Sequence, residues 1–246
     1  MKKLLITLSI FLLLPLQALM AQEMQERQRW KFGVSGGTGY LLGNTEESIN
    51  QLVYQGFKKS DAESLVNQIK WSGIFSTEAY YLFKPIFGMG MKYIYSGASA
   101  KKENLLVTPS NSNTISRINI EERCYFLLLA PTVYLQAKLN PRQTLQFNQA
   151  ISYGFIHFRD ESEVGFSRLL TLGNSLGFVY NIGLEYYIRK NWSVGANFSY
   201  IHAVFDRVRA TDGSETGSYH LNQEMRFDRI DFSIGTHFYI SKKQSR

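Results

Sequence analysis

Leu176-Gly177-Phe178-Val179-Tyr180-Asn181-Ile182-Gly183-Leu184-Glu185-Tyr186-Tyr187-Ile188 sets a large apolar residue at every even position, with smaller or more polar residues between them. A period of two is a β-strand. After Arg189-Lys190-Asn191 the alternation restarts, with Trp192, Val194, Ala196, Phe198 and Tyr200 on one face and Ser193, Gly195, Asn197 and Ser199 on the other. The small polar face decides the solvent. A soluble sheet carries Lys, Glu and Thr outward and packs its large apolar groups inside, whereas Gly, Ser and Asn suit a narrow lumen with the apolar face turned to lipid.

The same parity recurs along the chain and predicts eight strands. They begin near Trp30, Trp71, Phe87, Tyr125, Leu145, Leu176, Trp192 and Ile230. Pro131 in the fourth predicts a bulge, because proline removes a ladder donor. Three connections are tight, at Lys84 to Ile86, Pro141 to Gln143 and Arg189 to Asn191. Four are long: Gly43 to Lys70, Ala98 to Glu122, Arg159 to Asn174 and Asp206 to Glu224. The expected fold is all-β, an eight-stranded antiparallel transmembrane β-barrel with short periplasmic turns and long extracellular loops. The first loop is expected to be partly helical. Ile49, Leu52 and Val53 have helical spacing ended by Gly56, and Ser60 with Glu63 reads as a capping box before Leu65, Val66 and Ile69.

The 246 residues divide into a signal peptide (1–21), a short periplasmic segment (22–29), the barrel (30–240) and a basic tail (241–246). Lys2 and Lys3, the apolar run from Leu4 to Leu14 and the small Ala21 have the layout of an exported leader, cleaved before Gln22. Removing it takes the formal charge from +7 to +5. Basic residues are interspersed with acids, so no nucleic-acid partner is expected. Cys124 is the only cysteine and excludes an internal disulfide.

Lys31-Phe32-Gly33-Val34-Ser35-Gly36-Gly37, Phe87-Gly88-Met89-Gly90-Met91-Lys92-Tyr93 and Leu127-Leu128-Leu129-Ala130-Pro131-Thr132-Val133-Tyr134-Leu135 resemble the outer-membrane β-barrel domain family common in Bacteroidetes. That group is similar in architecture to the small OmpA- and OmpX-like barrels. The resemblance implies integral location in a Gram-negative outer membrane, with membrane lipids and the barrel assembly machinery as partners. Its Gly and aromatic patterns specify fold and say little about function.

Inward parity gathers Lys31, Glu78, Lys92, Lys138, Glu185, Arg229 and Asp231 into a lumenal polar network. Buried charges persist when paired, which favours a plugged interior over an open channel. If Lys84 to Ile86 forms a hairpin loop, Glu78 faces Lys92 and a cross-strand ion pair is expected. Lys84, Arg142, Arg189, Lys190, Lys242 and Lys243 form a basic periplasmic rim suited to anionic lipid heads. The reading is a structural or surface-interaction barrel, engaging an extracellular ligand or envelope protein through its long loops. A narrow porin-like channel is the alternative, and an outer-rim lipid-modifying enzyme built on His157 or His202 is a third. No local motif joins either histidine to a nucleophile, so no enzymatic activity, metal or cofactor is expected.

Overall fold

A computed structural model describes residues 28–43, 45–107, 116–165, 167–212 and 216–241, apart from the side chains of 47 and 216–224. The expected leader, most of the expected 22–29 segment, and Lys242 and Lys243 lie outside the described residues. Eight strands, β1 (Gln28–Leu41), β2 (Trp71–Lys84), β3 (Phe87–Val107), β4 (Ser116–Lys138), β5 (Leu145–Val164), β6 (Ser167–Arg189), β7 (Trp192–Thr211) and β8 (Thr216–Ser241), pair antiparallel in sequence order. β1 closes on β8 through Trp30 opposite Ile240, Phe32 opposite Phe238 and onward to Leu41 opposite Arg229. Closure leaves no unpaired edge, the condition for crossing lipid with strands.

The facing follows the alternation. Phe32, Val34, Phe75, Met89, Met91, Leu129, Ile151, Phe155, Leu184, Phe198, Phe232 and Ile234 are exposed on the outer surface, while Lys31, Ser76, Lys92, Asn181, Glu185 and Asn197 are buried inside. Trp30, Phe83, Tyr186 and Trp192 are exposed near the periplasmic strand ends, and Trp71, Tyr95 and Tyr153 toward the other side. Such aromatic girdles bracket an outward apolar band.

Two expectations need correction. Three of the long segments are mostly strand: β3 continues to Val107, β4 starts at Ser116, β5 runs to Val164 and β6 from Ser167, and β7 to Thr211 pairs with β8 from Thr216. Beyond the membrane the outer face is wetted, so Arg, Glu and Lys replace the apolar members and the two-colour pattern fades although the ladder continues. Pro131 makes no bulge either. It sits opposite Met91 in unbroken register, and the β4–β5 register is the same on both sides of it. Gly154 accommodates the close approach there, since a Cβ on it would lie 2.4 Å from the Leu129 carbonyl oxygen.

The first loop holds α1 (Glu46–Tyr54) and α2 (Lys59–Lys70). Gly56, with φ +98°, turns the chain between them. The Ser60–Glu63 capping box does not form, because α2 starts two residues earlier than that box requires, with extended Lys58 at its N-cap. Phe57 and Leu65 pack with Ala100, Leu105, Val107 and Ile120 of the β3–β4 extension, and Lys102 pairs with Asp61 at 2.9 Å. The loop therefore folds its apolar side onto the barrel's own extracellular extension.

Candidate functional site in the barrel lumen

Glu185 of β6 is fully buried at the centre of the periplasmic half of the lumen. Its Oε1 accepts from Lys31 Nζ at 2.6 Å and Asn148 Nδ2 at 2.8 Å, and its Oε2 from Tyr239 Oη at 2.6 Å and Ser193 Oγ at 2.9 Å. Four donors on one carboxylate saturate its lone pairs, the condition under which a buried charge is tolerated. Lys31 also donates to Tyr134 Oη at 2.9 Å and lies 3.1 Å from Glu78. β1 and β6 are not neighbours in the ring, so Lys31–Glu185 bridges the bore.

Glu78 lies opposite Lys92 in register, as the hairpin at Pro85 requires, and the two pair at 3.7 Å. Its nearer partners are Lys31 and His237, whose Nε2 is 3.3 Å away. Gly33 makes this crowding feasible, because a Cβ there would sit 2.6 Å from the His237 ring and 2.7 Å from Glu78 Cγ. Arg229 and Asp231, the other expected members, pair at 2.5 Å, with Arg229 also donating to Ser96 and lying near the Phe126 ring. Lys138 is a correction. It lies at the periplasmic end of β4 with Nζ 3.4 Å from the centre of the Tyr187 ring, and makes no ion pair among the described residues.

Sequence reading missed two groups. Tyr80, Tyr134, Tyr187 and Tyr239 point inward and are buried, tying Gln146, Glu185 and Glu78 together. Each stands two residues from an inward polar group (Glu78, Gln136, Glu185, His237), a period-two signal that was available. Toward the extracellular side the bore is filled by Ile94, Phe126, Leu128, Ile156, Phe158, Val179, Ile201 and Phe205. The lumen thus holds a polar network toward the periplasmic side and an apolar cluster above it.

Beyond the plug, Glu122 and Asp160 lie above the lipid-facing band, and neither makes an ion pair among the described residues. Burial, reinforced by Asp160, pushes the Glu122 carboxyl up to about 7, and burial with Glu161 pushes Asp160 up to about 6. His157 and His202 do not join these acids or each other. His157 Nδ1 is 2.7 Å from Asn174 Oδ1, and His202 Nδ1 is 2.7 Å from Asp228, which also accepts from Tyr200 at 2.6 Å. Both histidines share the outward parity of the lipid-facing residues, while Asp160 and Glu122 share that of the interior. Of the expected basic rim, Lys84, Arg142, Arg189 and Lys190 are exposed at the periplasmic turns.

A closed ring of eight strands with an outward apolar band and a filled bore defines an integral outer-membrane barrel. The chain belongs to the outer membrane protein beta-barrel domain family, whose model matches residues 9–238. No curated protein matches it in sequence. Among solved structures it is similar to the outer membrane protease OmpT from Escherichia coli (TM-score 0.49, 9% identity, 89% of this chain and 99% of that one). It is also similar to OprG from Pseudomonas aeruginosa (0.44, 11%, 89% and 100%) and to Neisserial surface protein A (0.42, 10%, 86% and 97%). The protease among these corrects the expectation that enzymatic activity is absent: the fold does not decide whether the chain is an enzyme.

Proposed function

We propose that this outer-membrane barrel acts through its extracellular extension, in a structural or surface-interaction role, and that its lumen does not conduct. The observation that supports this is the filling of the bore by two unlike layers, the Lys31–Glu78–Glu185–Tyr239 network and the Phe126–Ile156–Phe205 plug. Opening a path would strand buried charges in one layer and expose apolar surface in the other. The α1–α2 insertion and the β3–β4 hairpin it packs on supply a built surface for an extracellular ligand or envelope protein. Export with cleavage before Gln22, and kinship with Bacteroidetes-type barrels in particular, belong to the same proposal.

The test is reconstitution of the refolded chain into planar bilayers and liposomes. Absence of steady single-channel steps and of solute-driven liposome swelling is the expected outcome. Reproducible conductance that scales with protein would instead establish the narrow-channel reading.

A further inference from the structure

The periplasmic mouth contains a cavity of about 580 Å³ beneath the polar network, lined by Gln136, Lys138, Arg142, Tyr187, Arg189 and Lys190 among others. This is within the roughly 300–1,000 Å³ typical of small-ligand sites. Among the described residues its lining holds four cations and no acid. Among the described residues, none of the four side chains makes a hydrogen bond or ion pair with an oxygen.

Lys138 is the informative member. Half-buried at the end of β4, its ammonium rests on the face of Tyr187, while the Tyr187 hydroxyl donates to Gln146 at 2.9 Å. A ring face attracts the charge but accepts none of its three N–H bonds in the way an oxygen does. Deeper in the barrel Lys31 and Arg229 are given carboxylates; at the mouth Lys138 is not. Gln136 is engaged elsewhere, its Nε2 donating to the Pro85 carbonyl at 2.7 Å and its Oε1 accepting from Gln146 at 2.9 Å. Like charges around a shared concavity repel each other and concentrate counter-ions.

We propose that this cavity is a binding site for a phosphate group, taken from the periplasmic side. Lys138 supplies a point charge at the inner end, and Arg142 and Arg189 supply planar donor pairs that match phosphate oxygens. Such a group could come from a free phosphate or from the headgroup of an anionic phospholipid in the inner leaflet. The chemistry recognised is the same.

The test is an amide NMR titration of the refolded full barrel in zwitterionic micelles, following Arg142, Arg189 and Lys190. The probes are inorganic phosphate and, separately, glycerophosphoglycerol, the acyl-free headgroup of phosphatidylglycerol. Saturable shifts are expected, weakened about tenfold or more by Lys138→Met and by Arg189→Gln. Lys101→Met on the extracellular extension should leave them unchanged. Tighter binding of inorganic phosphate assigns a free anion, and tighter binding of glycerophosphoglycerol assigns a lipid headgroup. Arg142→Gln and Arg189→Gln alter exposed turn residues, so they report on binding even if Lys138→Met fails to refold. No saturable shift with either probe, shifts indifferent to the two turn variants, or equal weakening by Lys101→Met would overturn the site.

Discussion

Lys31 and Glu185, 154 positions apart in sequence and on strands that do not touch, meet at 2.6 Å in the middle of the bore with almost no solvent exposure. The pair acts as a tie across the barrel. Because Glu185 also accepts from Asn148, Ser193 and Tyr239, removing it orphans several donors at once. Glu185→Leu is predicted to cost about 3–5 kcal/mol, the usual penalty for stranding a buried partner. Adding Lys31→Met should recover part of that loss. The measurement is urea unfolding of the refolded protein in lipid vesicles, and a single variant as stable as the parent would sink the prediction.

Glu78 provides a finer comparison, since it faces Lys92 across the hairpin at 3.7 Å but lies 3.1 Å from Lys31. Double-mutant cycles should give a larger coupling for Glu78 with Lys31 than with Lys92. The reverse order would mean that ladder neighbourhood, rather than distance, sets the energy. Coupling near zero in both cycles would indicate a wet lumen, where such pairs are worth about 0–1 kcal/mol.

Ile182 and Phe198 are cross-strand partners on the lipid face, with Asn181 and Asn197 next to them inside. Arg at Ile182 or Phe198 is predicted to destabilise by about 2–4 kcal/mol near the bilayer midplane. A lipid-soluble quencher should reach labels at these two positions and not labels at Asn181 or Asn197. Inverted accessibility would show that the sheet faces the other way.

The barrel was legible wherever one strand face met lipid and the other a narrow polar bore, because those two solvents impose the alternation. Glu78 opposite Lys92 came from counting back from a tight turn. The extracellular continuations of β3 to β8 were not legible, since outside the membrane Arg123, Arg159 and Glu163 can occupy an outward face that lipid would forbid. Facing was readable, and so were the charged groups turned inward, but the apolar part of the filling was not. Val179 and Ile201 share the parity of Asn181 and Ser199, and nothing local says that the bore changes from polar to apolar between them. The Lys31–Glu185 tie depends on barrel closure, so neither β1 nor β6 alone announces it.

Gly39 gives a packing prediction. A Cβ at this position would fall 2.2 Å from both Arg229 Nη2 and Asp231 Oδ1, so the glycine vacates the space the ion pair occupies. Gly39→Val is predicted to lower stability by about 1–3 kcal/mol through overpacking. Gly43, where a Cβ would meet nothing within 4 Å among the described residues, should tolerate the same change. Equal effects at the two glycines in the vesicle unfolding assay would show that the lumen has slack.

The last prediction concerns pH and rests on the two carboxyls above the plug. Burial raises Glu122 from 4.5 to about 7 and Asp160 from 3.8 to about 6. One Asp160 oxygen is buried without a hydrogen-bond partner among the described residues. For an acid whose folded pKa is raised, the folded state binds more protons than the unfolded state between the two values, so stability falls as pH rises across that window. The penalty is absent below about pH 4, grows from there to about pH 7, and then levels off. After discounting for partial exposure, it should amount to on the order of 2 kcal/mol. Unfolding midpoints in vesicles should therefore be lower at pH 8 than at pH 5, and Glu122→Gln should remove much of the difference. A parent protein as stable at pH 8 as at pH 5, or a Glu122→Gln variant with an unchanged pH dependence, would show that water reaches these carboxyls and that the extracellular end of the barrel is open above its apolar plug.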